Sequence, residues 1–106
     1  MDWIKVFPDS AAARNVLVND RPQLVIIGTL RICLILHNEI LLAIEDKCSH
    51  NGESLSKGTI NYIGEVICPW HGYRFNLKTG RESAERSRDL VTYPIKETEE
   101  GVFIGV

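Results

Sequence analysis

Apolar residues recur along this chain in short runs, each ended by a turn signal, and the pattern predicts strands rather than helices. Trp3–Phe7 alternates and stops at Pro8, which has no amide proton and restricts the residue before it. Ser10–Asn15 is compatible with one helical turn, with Ser10 as N-cap ahead of Ala11, Ala12 and Ala13. Leu24–Ile27, Leu30–Leu36 and Ile40–Ile44 read as three successive strands rich in branched side chains, the last two joined by a hairpin loop at His37-Asn38-Glu39. Past Ile44 the periodicity breaks. Residues 45–58 are polar and read as a long loop with room for one helical turn. Thr59–Tyr62 and Glu65–Cys68 form a hairpin around Ile63-Gly64, a second loop covers 69–72, and Tyr73–Asn76 alternates again before the turn Lys78-Thr79-Gly80. Arg81–Asp89, the most charged stretch, reads as a solvated loop. Val91–Lys96 and Val102–Val106 make a closing pair across Glu99-Glu100-Gly101. Many short strands with little helix predict an all-β antiparallel barrel or sandwich, in one domain spanning 1–106.

Composition leaves that picture intact and removes several functions. The chain has 106 residues, 44% hydrophobic and 25% charged, enough for one core and no more. Its net charge is −2 and no basic stripe with interleaved aromatics occurs, so nucleic acid is not an expected partner. The longest apolar stretch, Leu24–Leu36, is broken by Gly28, Thr29 and Arg31 and is shorter than the roughly 20 residues that span a bilayer. The first residues, Met1-Asp2-Trp3-Ile4-Lys5, show no basic segment followed by an apolar one. A cytoplasmic monomer without membrane contact is the expectation. Three cysteines, Cys33, Cys48 and Cys68, argue against a disulfide framework and for metal ligation or buried thiols. Cys33, within an apolar strand, is expected to be a buried structural thiol, Trp3 a core residue and His37 a solvated turn residue.

The two irregular loops carry the chemistry. Each supplies one thiolate and one imidazole: Cys48-Ser49-His50-Asn51-Gly52 and Cys68-Pro69-Trp70-His71-Gly72, a C-x-H-x17-C-x2-H pattern. Thiolates suit iron–sulfur clusters and imidazole also binds iron. A Cys₂His₂ zinc site uses the same donors but favours C-x₂₋₄-C and H-x₃₋₅-H pairs.

This pattern resembles the signature of Rieske iron–sulfur proteins, most strongly from Cys48 to Phe75, with a compatible strand order on both sides. The resemblance implies one [2Fe–2S] cluster held in a two-loop subdomain, loops 45–58 and 68–73, with Cys48 and Cys68 on one iron and His50 and His71 on the other. It also implies supporting roles for Gly52 and Gly72, where the backbone bends around the cluster, and for Trp70 and Tyr73 beside the ligands. Two ferric irons, two sulfides and two thiolates sum to zero, whereas four thiolates would leave a dianion, so the electron enters more easily than in a plant-type ferredoxin.

Within the family, this chain departs from the high-potential members. The cysteines that bridge their cluster loops correspond to Glu53 and Trp70. The serine and tyrosine whose hydroxyls reach their cluster sulfurs correspond to Tyr73 and Phe75. A potential in the lower part of the span of roughly −150 to +300 mV is therefore expected. The proline-containing third loop of many Rieske domains corresponds to Arg81–Arg88, which has no proline, leaving the third side of the cluster either solvated or covered by charged side chains.

The whole chain is used by this fold, with no nicotinamide or flavin fingerprint. The expected function is a small Rieske ferredoxin, not itself an enzyme, resembling the ferredoxin components of ring-hydroxylating dioxygenases. Such a carrier takes single electrons from a flavoprotein reductase to a terminal oxygenase. The alternatives are a Rieske-like small subunit of an assimilatory nitrite reductase and, more weakly, a non-redox zinc module.

Overall fold

The structure is a computed structural model that describes residues 1–106 in full. Three antiparallel sheets are built from ten strands. The terminal sheet joins β1 (Trp3–Phe7), β10 (Gly101–Gly105) and β9 (Ile95–Thr98) in the order β1-β10-β9. The central sheet has the order β2-β3-β4-β8, from β2 (Gln23–Ile27), β3 (Leu30–His37), β4 (Ile40–Glu45) and β8 (Thr92–Tyr93). A small third sheet, β5-β6-β7, is formed by Thr59–Ile60, Glu65–Ile67 and Arg74–Asn76. One helix, α1 (Ser10–Val16), and a 3₁₀ turn at Leu55–Lys57 complete the molecule.

The central sheet divides two cores. β3 is apolar without alternation because both of its faces are buried. Ile32, Leu34 and Leu36 face one way, against Leu41, Ala43, Leu17 of the α1 region, and Val102 and Ile104 of β10. Cys33 and Ile35 face the other way and pack with Ile44, Leu55, Phe75 and Leu77. The β3–β4 register, Cys33↔Ile44 and Leu34↔Ala43, keeps these sets apart, and a one-residue slip would exchange them. Asn38 and Glu39 connect the strands with φ of 50° and 69°, the paired left-handed conformation that matches strand twist in a two-residue hairpin.

Several expectations need correction. The α1 N-cap is Asp9, whose carboxylate accepts the Ala12 amide at 2.7 Å; Ser10 lies inside the helix and donates its hydroxyl to Glu97 at 2.7 Å. His37 is the last residue of β3 rather than a solvated turn residue, with a side chain 13% exposed and Nδ1 2.6 Å from Asp20. Trp3 is 40% exposed, with the Lys96 ammonium 4.7 Å from its ring centroid, so it covers the sheet face instead of filling the core. The segment 91–96 is not one strand. Pro94 cannot donate to a ladder, and the chain changes sheets there: β8 pairs with β4 and β9 with β10. Cys33 is fully buried, and burial pushes its thiol far up, as an inert structural thiol requires.

Candidate metal centre

The first irregular loop runs from β4 to β5 and the second from β6 to β7, and each brings a cysteine into the second core. The first leaves β4 at Asp46, a buried carboxylate that accepts the Ser56 amide at 2.5 Å and the Ser54 hydroxyl. Arg31 lies 3.6 Å from the same carboxylate. Asp46 thus draws both ends of the loop together. Within it the Cys48 amide donates to Glu53 O at 2.8 Å and the Gly52 amide to Cys48 O at 2.7 Å, a tight turn that needs φ of 79° at Gly52. The second loop closes when the Cys68 amide donates to Tyr73 O at 2.8 Å. His71 and Gly72 are both left-handed there, with φ of 68° and 69°. A non-glycine residue in that conformation is uncommon and is held by the surrounding turn.

These turns bring the four predicted ligands to one end of the molecule in two pairs. Cys48 and Cys68 are each 1% exposed and lie together in the second core. Burial pushes the Cys68 thiol up despite an opposing hydrogen bond from the Trp70 amide. His50 and His71 lie on the exposed outer side, ring centroids 5.6 Å apart at 62°. The Asn51 side-chain amide reaches to 3.8 Å of Cys68 Sγ. A tetrahedral zinc site would need four donors converging on one point. Two buried thiols beneath two outward imidazoles instead fit a binuclear cluster with two protein ligands per iron.

The residues beside the ligands behave unequally. Tyr73 contributes its ring, not its hydroxyl: it stacks on His50 at 3.9 Å with a 10° tilt. Trp70 is 58% exposed and meets His71 edgewise at 6.4 Å, so it flanks that ligand without covering it. Phe75 is fully buried and donates nothing.

The proline-free stretch after β7 is mostly exposed, as expected of a solvated loop, but one of its carboxylates turns inward. Glu82 is fully buried and bridges to Phe75. It accepts from the Ala84 and Arg86 amides, both at 2.8 Å, and from the Ser83 hydroxyl at 3.1 Å. The Arg86 guanidinium beside it, with these donors, holds its carboxyl well below the usual carboxylate range. Arg86 lies 3.7 Å over the Tyr73 ring. Ser49, in the first loop, donates to Arg88 O at 2.7 Å. Burial pushes the Glu45 carboxyl up, but the Arg88 guanidinium and the Val91 amide outweigh it and leave it lowered. Arg86 and Arg88 thus tie this stretch to Tyr73 and to the first loop. Asp46, Glu82 and Arg86 escape sequence reading because their partners are fixed only by the fold; the four-residue spacing of Glu82 and Arg86 was the one available signal.

Residues 3–94 match the family model of the Rieske [2Fe-2S] domain. The chain belongs to this family, and one [2Fe–2S] cluster is its cofactor. It is 40% identical over 63 residues to the 3-phenylpropionate/cinnamic acid dioxygenase ferredoxin subunit of Escherichia coli (strain K12), a match covering 58% of this chain and 59% of that one. The chain therefore spans about three fifths of that relative's length. The subunit of the same name from Photorhabdus laumondii is 33% identical over 76 residues, 71% of this chain and 72% of the relative. Among solved structures, the ferredoxin of carbazole 1,9a-dioxygenase from Nocardioides aromaticivorans IC177 superposes with a TM-score of 0.83 at 18% identity, covering 99% of this chain and 98% of that one. A chain from a complex of reduced oxygenase and oxidized ferredoxin in carbazole 1,9a-dioxygenase gives 0.80 at 24% identity, covering 96% and 100%. At these identities the structural likeness speaks to the Rieske fold, the all-β arrangement that the strand pattern predicted.

Proposed function

We propose that this Rieske domain is a one-electron carrier, with Cys48 and Cys68 ligating the inner iron and His50 and His71 the outer one. The carrying observation is the polarity of the site: thiols buried in the second core, imidazoles at the exposed tip. When bound, the cluster supplies a reversible one-electron couple. The chain's own residues hold it, exclude water from the sulfur side and leave the histidine side open to a transient partner with a small interface.

The partners we propose are a flavoprotein reductase as donor and the terminal oxygenase of a ring-hydroxylating dioxygenase as acceptor. The names of the two dioxygenase ferredoxin relatives support this reading. No helix is long and apolar enough to cross a membrane. The test is stopped-flow mixing of the reduced protein with such an oxygenase under anaerobic conditions. Reoxidation of this protein's cluster on a turnover timescale, as its electron passes to the oxygenase, is expected; absence of transfer to every oxygenase of this type overturns the assignment.

A low potential follows from the absent hydroxyl donors. Phe75 is apolar, the Tyr73 ring is committed to His50, and only Asn51 approaches a ligating sulfur from a side chain, at 3.8 Å. Protein-film voltammetry is expected to place the couple in the lower part of the span of roughly −150 to +300 mV, and a value well above zero contradicts it.

A further inference from the structure

The two histidines differ in their surroundings. His71 meets other rings only edgewise, that of His50 at 5.6 Å and that of Trp70 at 6.4 Å, both at 62°. His50 lies flat against Tyr73, 3.9 Å away and nearly parallel. The far face of Tyr73 carries the Arg86 guanidinium at 3.7 Å. That guanidinium is fixed in turn by two charge-assisted hydrogen bonds to Glu82, Nε to Oε1 at 2.9 Å and Nη2 to Oε2 at 3.0 Å. Glu82 is buried and anchored to the small sheet through its bridge to Phe75 and the Ser83 amide on Arg74 O at 2.8 Å. A continuous column, Glu82–Arg86–Tyr73–His50, therefore runs from the buried end of the third loop to one imidazole.

We propose that Tyr73 and Arg86 are positioning residues for the cluster: Arg86, locked by Glu82, clamps the Tyr73 ring against His50 and fixes that ligand's ring plane. The inference rests on His50 being a ligand. The chemistry suits the task. Arginine stacks on aromatic faces as a planar fork while its edge still pairs bidentately with a carboxylate, which lysine cannot reproduce. Groups that orient a ligating imidazole set how its nitrogen meets the metal. The clamp also leaves His71 as the freer of the two rings.

The test uses the cluster-loaded, reduced protein, read by continuous-wave EPR for the g-features and pulsed EPR for the histidine ¹⁴N couplings. Tyr73→Ala is expected to broaden the g-features and spread one of the two sets of couplings, whereas Tyr73→Phe, which keeps the ring, leaves both as in wild type. Arg86→Lys, which keeps the charge opposite Glu82 but loses the plane, is expected to broaden the same set to a smaller extent. A Tyr73→Ala spectrum superposing on wild type, or a Phe variant as perturbed as the Ala variant, overturns the clamp. Should Tyr73→Ala fail to retain a cluster, Arg86→Lys decides alone: broadening supports the clamp and an unchanged spectrum overturns it. Wild type separates the two readings. If it lacks two histidine couplings, the ligand assignment has failed; if it has both and the variants do not move them, only the clamp has failed.

Discussion

The two faces of β3 are closed by different means. On one side Ile32, Leu34 and Leu36 meet other strands and α1, and that core is apolar throughout. On the other, Cys33 and Ile35 meet Cys48, Leu55, Cys68 and Phe75, most of them brought by loops or by the short strands of the small sheet. The first side is closed by hydrophobic burial, which needs only the strand pattern. The second needs its loops tied down, and two buried carboxylates do this: Asp46 in the first cluster loop and Glu82 in the third. One sheet can thus carry a self-sufficient body on one face and a metal-dependent end on the other. Such an end should be the part of the molecule that opens most easily.

The largest break in this comparison is removal of a proposed ligand. Cys48→Ala is expected to abolish the cluster absorbance entirely while the β3 amides stay protected. Hydrogen exchange read segment by segment should show lost protection confined to residues 46–76; loss throughout β3 would mean that the body depends on the metal too. Truncation on the opposite face should do the reverse. Leu34 is fully buried in the body core, so Leu34→Ala costs about 3–4 kcal/mol of global stability in denaturant titration. The cluster spectrum per folded molecule should stay unchanged.

Asp46→Ala strikes the anchor of the first loop. It strands the Ser56 amide and the Ser54 hydroxyl in a poorly solvated place, at an expected cost of about 2 kcal/mol. The loss should appear as faster release of iron to a chelator, with little change in the unfolding of β3. Equal effects on both would remove the distinction between the two faces.

Legibility in the sequence follows the same division. The strands of the body could be read because apolar runs and turns are local signals, and β3 and β4 fall within a residue of the expected bounds. The four proposed ligands could be picked out because Cys48/His50 and Cys68/His71 are near neighbours in the chain, and the fold brings them to one end. What could not be read depends on long-range pairing. Arg81–Asp89 has the composition of a solvated loop, and nothing local shows that Glu82 turns inward while Arg86 lies over Tyr73. His37 finds Asp20 across 17 residues. The division at Pro94 had a signal in the proline itself, which cannot serve a central strand.

The smallest effect separates the two sides by pH. Arg86 and backbone donors hold the Glu82 carboxyl below its ordinary value, and Arg14 does the same for Glu97 in the body. A carboxylate with a lowered folded-state pKa adds stability that is fully present above its unfolded value, about 4.3 for glutamate, and that is lost as pH falls through the folded value. Both groups therefore contribute at neutral pH and stop contributing in acid. Their settings differ: Glu82 is fully buried with five donors, whereas the Glu97 side chain is 32% exposed and its ion pair is screened by solvent. Glu82→Gln should flatten the decline in stability below about pH 4.3, and Glu97→Gln should flatten it less. Urea midpoints taken across that range measure both. If Glu97→Gln flattens the profile as much as Glu82→Gln, acid does not act first on the metal-bearing end, and the contrast between the two faces of β3 lies in their packing alone.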